Sequence, residues 1–421
     1  MTTSSTLLVI GYVWPEPNSS AAGSRMLQLI RAFQQAGCEI VYASPAEHSD
    51  HAPDLAALNI RAERIELNSK SFDDFIAALT PQLVMFDRFM MEEQFGWRVE
   101  KFCPQAVRIL DTEDLHSLRH ARHAMLKADP QHIPLQPTAE LAYSELAIRE
   151  IAAILRCDLT LIISEFEMQW LAEQFQVPSS QLLYLPFMEE VTEQADLPRF
   201  NQRQHFISIG NFRHEPNWDA VRYLKEQIWP LIRQQLPQSE LHVYGAYPPK
   251  KATQLHNEKQ GFLVKGWAPD AYKVMSSARV LLAPLRFGAG LKGKLIDAAQ
   301  CGTPAVTTSI GAEGMYNTES PCALIADQEI VIAQQAVDLY QDEMLWQTLS
   351  DHSRQLIAQR FDYRSHTPRL ISVIQHLQAN INAHRQQHFY CMMLRHHSLK
   401  STQYMAQWIE TKNQLKQEAS E

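Results

Sequence analysis

The chain has 421 residues, 45% of them hydrophobic and 20% charged, with a formal net charge of −9. That length supports two or more cores of ordinary domain size, and the acidic balance argues against a general nucleic-acid binder. Six scattered cysteines without a C-x-x-C pair suggest neither a disulfide framework nor a zinc site, so a reducing cytoplasm is the expected location.

The first apolar run, Thr6 to Val13, has no basic lead and no small-residue cleavage site, so it reads as a strand rather than a signal peptide. No run reaches the roughly 18 apolar residues of a membrane span, which leaves peripheral contact as the membrane option. A Pro/Asn/Ser/Gly loop, Pro15 to Gly23, leads to a helix over Ser24 to Gln35, ended by Gly37. Strands are expected at Glu39–Ala43, Arg64–Leu67, Leu83–Phe86, Val107–Leu110 and Leu159–Ile163. Strands separated by helices imply right-handed βαβ units, a parallel sheet and ligands at the carboxyl ends of the strands.

An acidic, proline-containing stretch from Phe187 to Arg199 reads as a linker, after which the alternation restarts. Strands follow at Phe206–Ile209, Glu240–Tyr244 and Phe262–Val264, with helices over Trp218–Gln235 and Ala271–Ser277. Then come a buried strand (Val280 to Pro284), a glycine loop (Phe287 to Gly293), a helix (Leu291 to Gln300) and a strand (Ala305 to Thr308). The domains are therefore expected at 1–198 and 199–365, with a helical segment at 366–421. That last segment contains no acidic residue between Tyr363 and Ile409. It reads as a helix packed across the domains, or as a basic amphipathic helix that touches an anionic membrane surface or a partner.

The glycine loop is the main chemical signal, because uncovered N–H groups at a helix start form an anion site. Gly288, Gly290 and Gly293 spell G-x-G-x-x-G, and Gly288 to Lys294 spell the first part of a P-loop. Leu295 stands where a P-loop needs a hydroxyl for magnesium. A dinucleotide loop should follow a domain's first strand, so neither pattern settles the ligand. Lys292 and Lys294 add positive charge, while Asp297, three residues beyond Lys294, suits a ribose diol.

Other strand ends carry Arg213, which suits a bidentate phosphate contact, and Gly266 with Trp267, which suit a flat base. In the first half, Asp111, Glu113, Asp114, His116 and Arg119 leave a strand end with groups suited to sugar hydroxyls and proton transfer. Gly23, Ser24 and Arg25 open the first helix and are candidates for the acceptor side. His120 and His123 read as surface histidines, and no metal-binding D-x-D occurs.

The segments Pro216–Leu224, Leu241–Gly245, Val264–Asp270, Ala283–Ala298, Gly302–Thr308 and Gly311–Gly314 together resemble the nucleotide-sugar half of GT-B glycosyltransferases of the group 1 (family 4) type. The order and spacing hold from about Phe206 to Gly314. The resemblance implies two Rossmann-like, doubly wound domains facing a central cleft. It also implies a nucleoside-diphosphate sugar donor of UDP or GDP type, a glycan, lipid-linked or protein acceptor, and retaining transfer without a cofactor or metal. By this resemblance Asp297 falls at the ribose contact, Gly290 and Leu291 at the diphosphate loop, Lys294 at a subgroup cation, and His116 and Asp114 near the transferred sugar. The first acid of the family's paired-acid motif is absent near Phe287 and Gly288, which brings in a non-catalytic partner subunit as an alternative; a sugar-nucleotide epimerase on the same fold is another.

Overall fold

A computed structural model describes residues 5–190, 197–316 and 322–418. The middle of the expected linker, 191–196, lies outside the described residues. The first seven strands are β1 (Thr6–Ile10), β2 (Glu39–Ser44), β3 (Ile60–Arg64), β4 (Leu83–Asp87), β5 (Val107–Asp111), β6 (Leu159–Ile162) and β7 (Leu182–Tyr184). They form one parallel sheet in the order β3-β2-β1-β4-β5-β6-β7.

Strand alternation sorts this sheet's side chains onto two faces. Leu7, Val9, Leu83, Met85 and Ile109 face helix Ala21–Gln35 and the late helix Tyr363–Gln387. Leu8, Ile10, Val84, Phe86 and Leu110 face helices Phe89–Phe102 and Glu145–Arg156.

The second sheet contains β8 (Gln204–Ile209), β9 (Leu241–Tyr244), β10 (Phe262–Gly266), β11 (Ala278–Ala283), β12 (Ala305–Thr307) and β13 (Ala323–Ile325). Its order is β10-β9-β8-β11-β12-β13, again parallel. Strand order reverses between β1 and β4 in one sheet and between β8 and β11 in the other. Such switch points open a crevice at the carboxyl ends of the strands. The glycine loop leaves β11, so it stands at the second crevice.

Three expectations change. The strand expected at Arg64–Leu67 lies earlier, at Ile60–Arg64, on the sheet's edge. The helix expected over Trp218–Gln235 is broken by a π-helical turn, Leu224–Ile228, just before Pro230, which supplies no N–H to the ladder. The C-terminal helices do not lie across both domains. Leu370, Ile374 and Leu377 enter the first sheet's core, and Trp97 packs on Ala406 of the last helix, Phe389–Glu418.

The chain crosses between the sheets where Glu189 pairs with Asp362 as an isolated parallel bridge. The Glu189 N–H donates to the Phe361 carbonyl at 2.6 Å, and the Tyr363 N–H to the Glu189 carbonyl at 2.9 Å.

Candidate functional site

Helix Gly293–Gln300 follows the glycine loop because Leu295, Ile296 and Ala299 supply one apolar face, buried against Met275, Leu281 and Leu356. Burying each of the two large aliphatics contributes about 1.5–3 kcal/mol. The same periodicity leaves Lys294 and Asp297 half-buried on the other side. Lys292, at the N-cap, makes no side-chain cap, and the Leu295 N–H donates to the Lys292 carbonyl at 2.8 Å.

Lys294 Nζ donates to Asn217 Oδ1 at 2.7 Å, which links the glycine-loop helix to the start of helix Glu215–Tyr223 after β8. Burial, and then the neighbouring Lys292, push the Lys294 ammonium down to about 7. Burial and then Glu189 push Asp297 up to about 7, while Tyr272 Oη donates to it at 3.4 Å. Lys294 and Asp297 form no ion pair among the described residues, so the lysine is held by a neutral amide.

The loop itself is built against the first domain. Gly290 has φ +63°, and a Cβ there would come 2.8 Å from the Asp114 Cβ, so no side chain fits. Its N–H donates to Glu167 Oε1 at 2.9 Å, and the same oxygen accepts from the Leu115 N–H at 2.9 Å. The Gly290 amide, expected to face a diphosphate, is therefore already taken.

Lys292 is also corrected. It is buried and folds back to donate to the carbonyls of Ala289 (3.0 Å) and Gly290 (2.6 Å), bracing the loop rather than facing a ligand. Leu291 is buried in the second sheet's core.

The first domain brings its polar turn to the same place. Burial alone would raise Asp114, but Arg119 and His116 hold it well below the usual carboxylate range. Its Oδ1 lies 3.6 Å from His116 Nε2. Burial drives His116 down to about 3 against the pull of Asp114, which leaves a neutral imidazole beside an ionised carboxylate. Glu150 anchors this turn by accepting from the N–H groups of His116 (2.8 Å) and Ser117 (2.9 Å).

The opening of the first helix has a different role from the one expected. Arg25 is fully buried and donates to Asp111 Oδ1 at 2.9 and 3.1 Å and to the carbonyls of Leu185 and Pro186, so its side chain cannot reach an acceptor. Ser24 Oγ donates to the Pro17 carbonyl at 3.0 Å. Gly23 lets the Glu16 backbone pass where a Cβ would be 2.4 Å away. This helix start faces the one after the glycine loop: a Cβ on Gly293 would lie 2.6 Å from the Ala21 Cβ. Two positive helix ends thus converge at the junction of the domains.

Arg213 is exposed and stacks over the Tyr247 ring at 3.5 Å. Gly266 has φ +77° at the end of β10. Trp267 is 40% exposed and its Nε1 donates to the Asn18 carbonyl at 2.9 Å, so it bridges the two domains.

Several residues that join the halves carried no sequence motif. Arg122 donates to both Glu313 oxygens (2.9 and 2.6 Å) and to the Gly288 carbonyl (2.8 Å). Phe287 is buried, its ring stacked on His123 at 4.1 Å and 4°. His123 is therefore an interface residue rather than a surface one. Glu167, pushed up to about 8 by burial and then by Asp114, ties the His116 turn to the glycine loop. Nothing in the sequence pattern singled out Glu167, and only the fold brings these partners together.

Two Rossmann-like sheets, with switch-point loops meeting across one cleft and a late glycine loop with a cationic helix start, are the arrangement of the GT-B fold. Residues 203–342 match the family described as Glycosyl transferases group 1. No curated protein matches the chain.

Among solved structures, a glycosyltransferase from Rickettsia africae is similar with a TM-score of 0.65 at 10% identity, covering 90% of this chain and 100% of that one. Anabaena HepE in complex with UDP-glucose gives 0.64 at 12%, covering 88% and 100%. An S. aureus TarM mutant, in complex with fondaparinux, alpha-GlcNAc-glycerol and UDP, gives 0.56 at 11%. That match covers 72% of this chain, which spans only 57% of the length of that protein.

Proposed function

We propose that the protein transfers a sugar, with retention of configuration, from a nucleoside-diphosphate sugar to a hydroxyl-bearing glycan, lipid-linked or protein acceptor. The observation that supports this reading is that Lys294 and Asp297 are half-buried on the polar side of a helix that starts, without a side-chain cap, at a switch-point loop. Lys294 and the first-turn amides would meet the diphosphate, Asp297 the ribose, and Trp267 the base. Charge develops on the leaving diphosphate, and preorganised donors there lower the barrier. The neutral His116 and ionised Asp114 would face the transferred sugar. UDP is the first donor base to test, since the TarM and HepE structures carry UDP or UDP-glucose.

The test is a panel of UDP-, GDP-, ADP- and dTDP-sugars, read by melting temperature and by product analysis, with and without EDTA. One nucleotide class should raise the melting temperature and support transfer or slow donor hydrolysis. No response to any nucleotide would overturn the donor site. Binding without turnover would favour a partner subunit, and an epimeric product from donor alone would favour an epimerase.

A peripheral membrane contact is proposed from the last helix. Phe389, Met393, Tyr404, Trp408 and Leu415 recur at helical spacing, and all are exposed, with Lys400 on the same side. No helix among the described residues is long and apolar enough to cross a membrane, so this face would lie in the interface. The protein should sediment with phosphatidylglycerol-containing vesicles and not with phosphatidylcholine alone. Trp408→Ser with Tyr404→Ser should weaken that binding by on the order of tenfold. Equal binding by wild type and variant would remove the helix from the contact.

A further inference from the structure

Away from the cleft, at the opposite ends of β8 and β9, His205, Glu240 and His242 place three ligand atoms within 4.8 Å of one another. The strand period puts Glu240 and His242 on one face, and the parallel register sets His205 beside Glu240. The two imidazoles stack at 4.3 Å and address the same oxygen: Glu240 Oε2 lies 2.8 Å from His242 Nε2 and 3.7 Å from His205 Nδ1.

A second observation singles out this corner. His205 has φ +62°, in the left-handed region that a non-glycine residue seldom adopts. Its N–H is held by Tyr340 Oη at 3.3 Å. A small recess lined by His205, His242, Tyr244 and Ser277 opens beside the rings.

We propose that His205, Glu240 and His242 form a binding site for a late first-row divalent cation such as Zn2+. Two imidazole nitrogens and one carboxylate oxygen match the ligand preference of zinc, nickel and copper rather than calcium or magnesium. Three protein ligands leave a fourth position for water. The ion would pin the starts of β8 and β9 together, a structural role independent of the donor cleft.

The test uses the full-length, untagged protein stripped with EDTA and titrated with Zn2+ and Co2+. Zn2+ should bind with one more equivalent than in His242→Ala, raise the melting temperature, and be competed by Co2+ with visible d–d absorption. His205→Ala should lose the same equivalent, and Glu240→Gln should weaken binding by on the order of tenfold. Both histidine variants should melt as the wild type does without metal, which separates lost ligation from lost folding. Equal zinc stoichiometry and affinity in wild type and both variants, or a response to Ca2+ and Mg2+ but not Zn2+, would overturn the site.

Discussion

Lys294→Ala is expected to remove most of the thermal stabilisation given by the donor nucleotide and to weaken its affinity on the order of 10- to 100-fold. A hydrogen bond to a charged group contributes about 1.5–3 kcal/mol, and each 1.4 kcal/mol is about tenfold in affinity. The residue has no acidic partner to lose among the described residues, only the amide of Asn217, so the folded state should tolerate the change.

The pH dependence distinguishes this role from generic packing. With Lys294 near 7 in the free protein, a bound diphosphate favours its charged form, so binding takes up a proton above that pH. Through this group, affinity for the donor should fall as pH rises above 7, by up to about tenfold per unit. A UDP-sugar suits the measurement because its diphosphate does not titrate there. Lys294→Arg should flatten the part of the profile due to the lysine. Donor affinity in Lys294→Ala equal to the wild type, with the wild-type pH profile, would place the diphosphate elsewhere.

Much of the architecture was legible because aliphatic strands alternate with helical patterns and the glycine loop sits late in the second set. The errors have local causes. β3 is an edge strand with the burial pattern Beeie, so Ile60 alone carries its hydrophobic signal, and the neighbouring Ile65 and Leu67 drew the expectation downstream.

The cleft was legible one residue at a time but not in its pairings. Arg122 and Glu313 are 191 residues apart, and Glu167 and Gly290 are 123 apart. Nothing in either sequence neighbourhood encodes the other. For the same reason Lys292 and Arg25 read as ligand contacts: a cation in sequence carries no record of the carbonyls that will satisfy it. Where an acid was missing at Phe287, the ring instead packs on His123 of the other domain. That position has become part of the seam between the two halves.

The largest stability effect is expected at Asp158, far from the cleft. Its carboxylate is fully buried at the start of β6. It accepts from the Arg108 N–H at 2.9 Å, from Arg385 at 2.7 and 2.9 Å, and from Arg395 at 2.5 Å. One side chain therefore fastens both C-terminal helices to the first sheet. Removing it leaves Arg385 and Arg395 with backbone carbonyls as acceptors but no carboxylate, and breaking a buried pair from one side costs about 3–5 kcal/mol.

Burial would raise this acid, but the bonds from Arg385 and the charges of Arg395 and Arg385 pull it down to about 2. A depressed carboxylate stabilises the fold above its unfolded value of about 3.9. That contribution is lost as pH falls from there through about 2. Asp158→Ala should therefore shift the urea midpoint sharply downward at pH 7 and less at pH 3, where the wild type has already lost part of the same interaction. Limited proteolysis should cut first in the segment after Gln387, because that segment is held by Arg395. A urea midpoint unchanged at pH 7 would mean that the apolar contacts of Leu370, Ile374 and Leu377 alone hold the C-terminal helices in place.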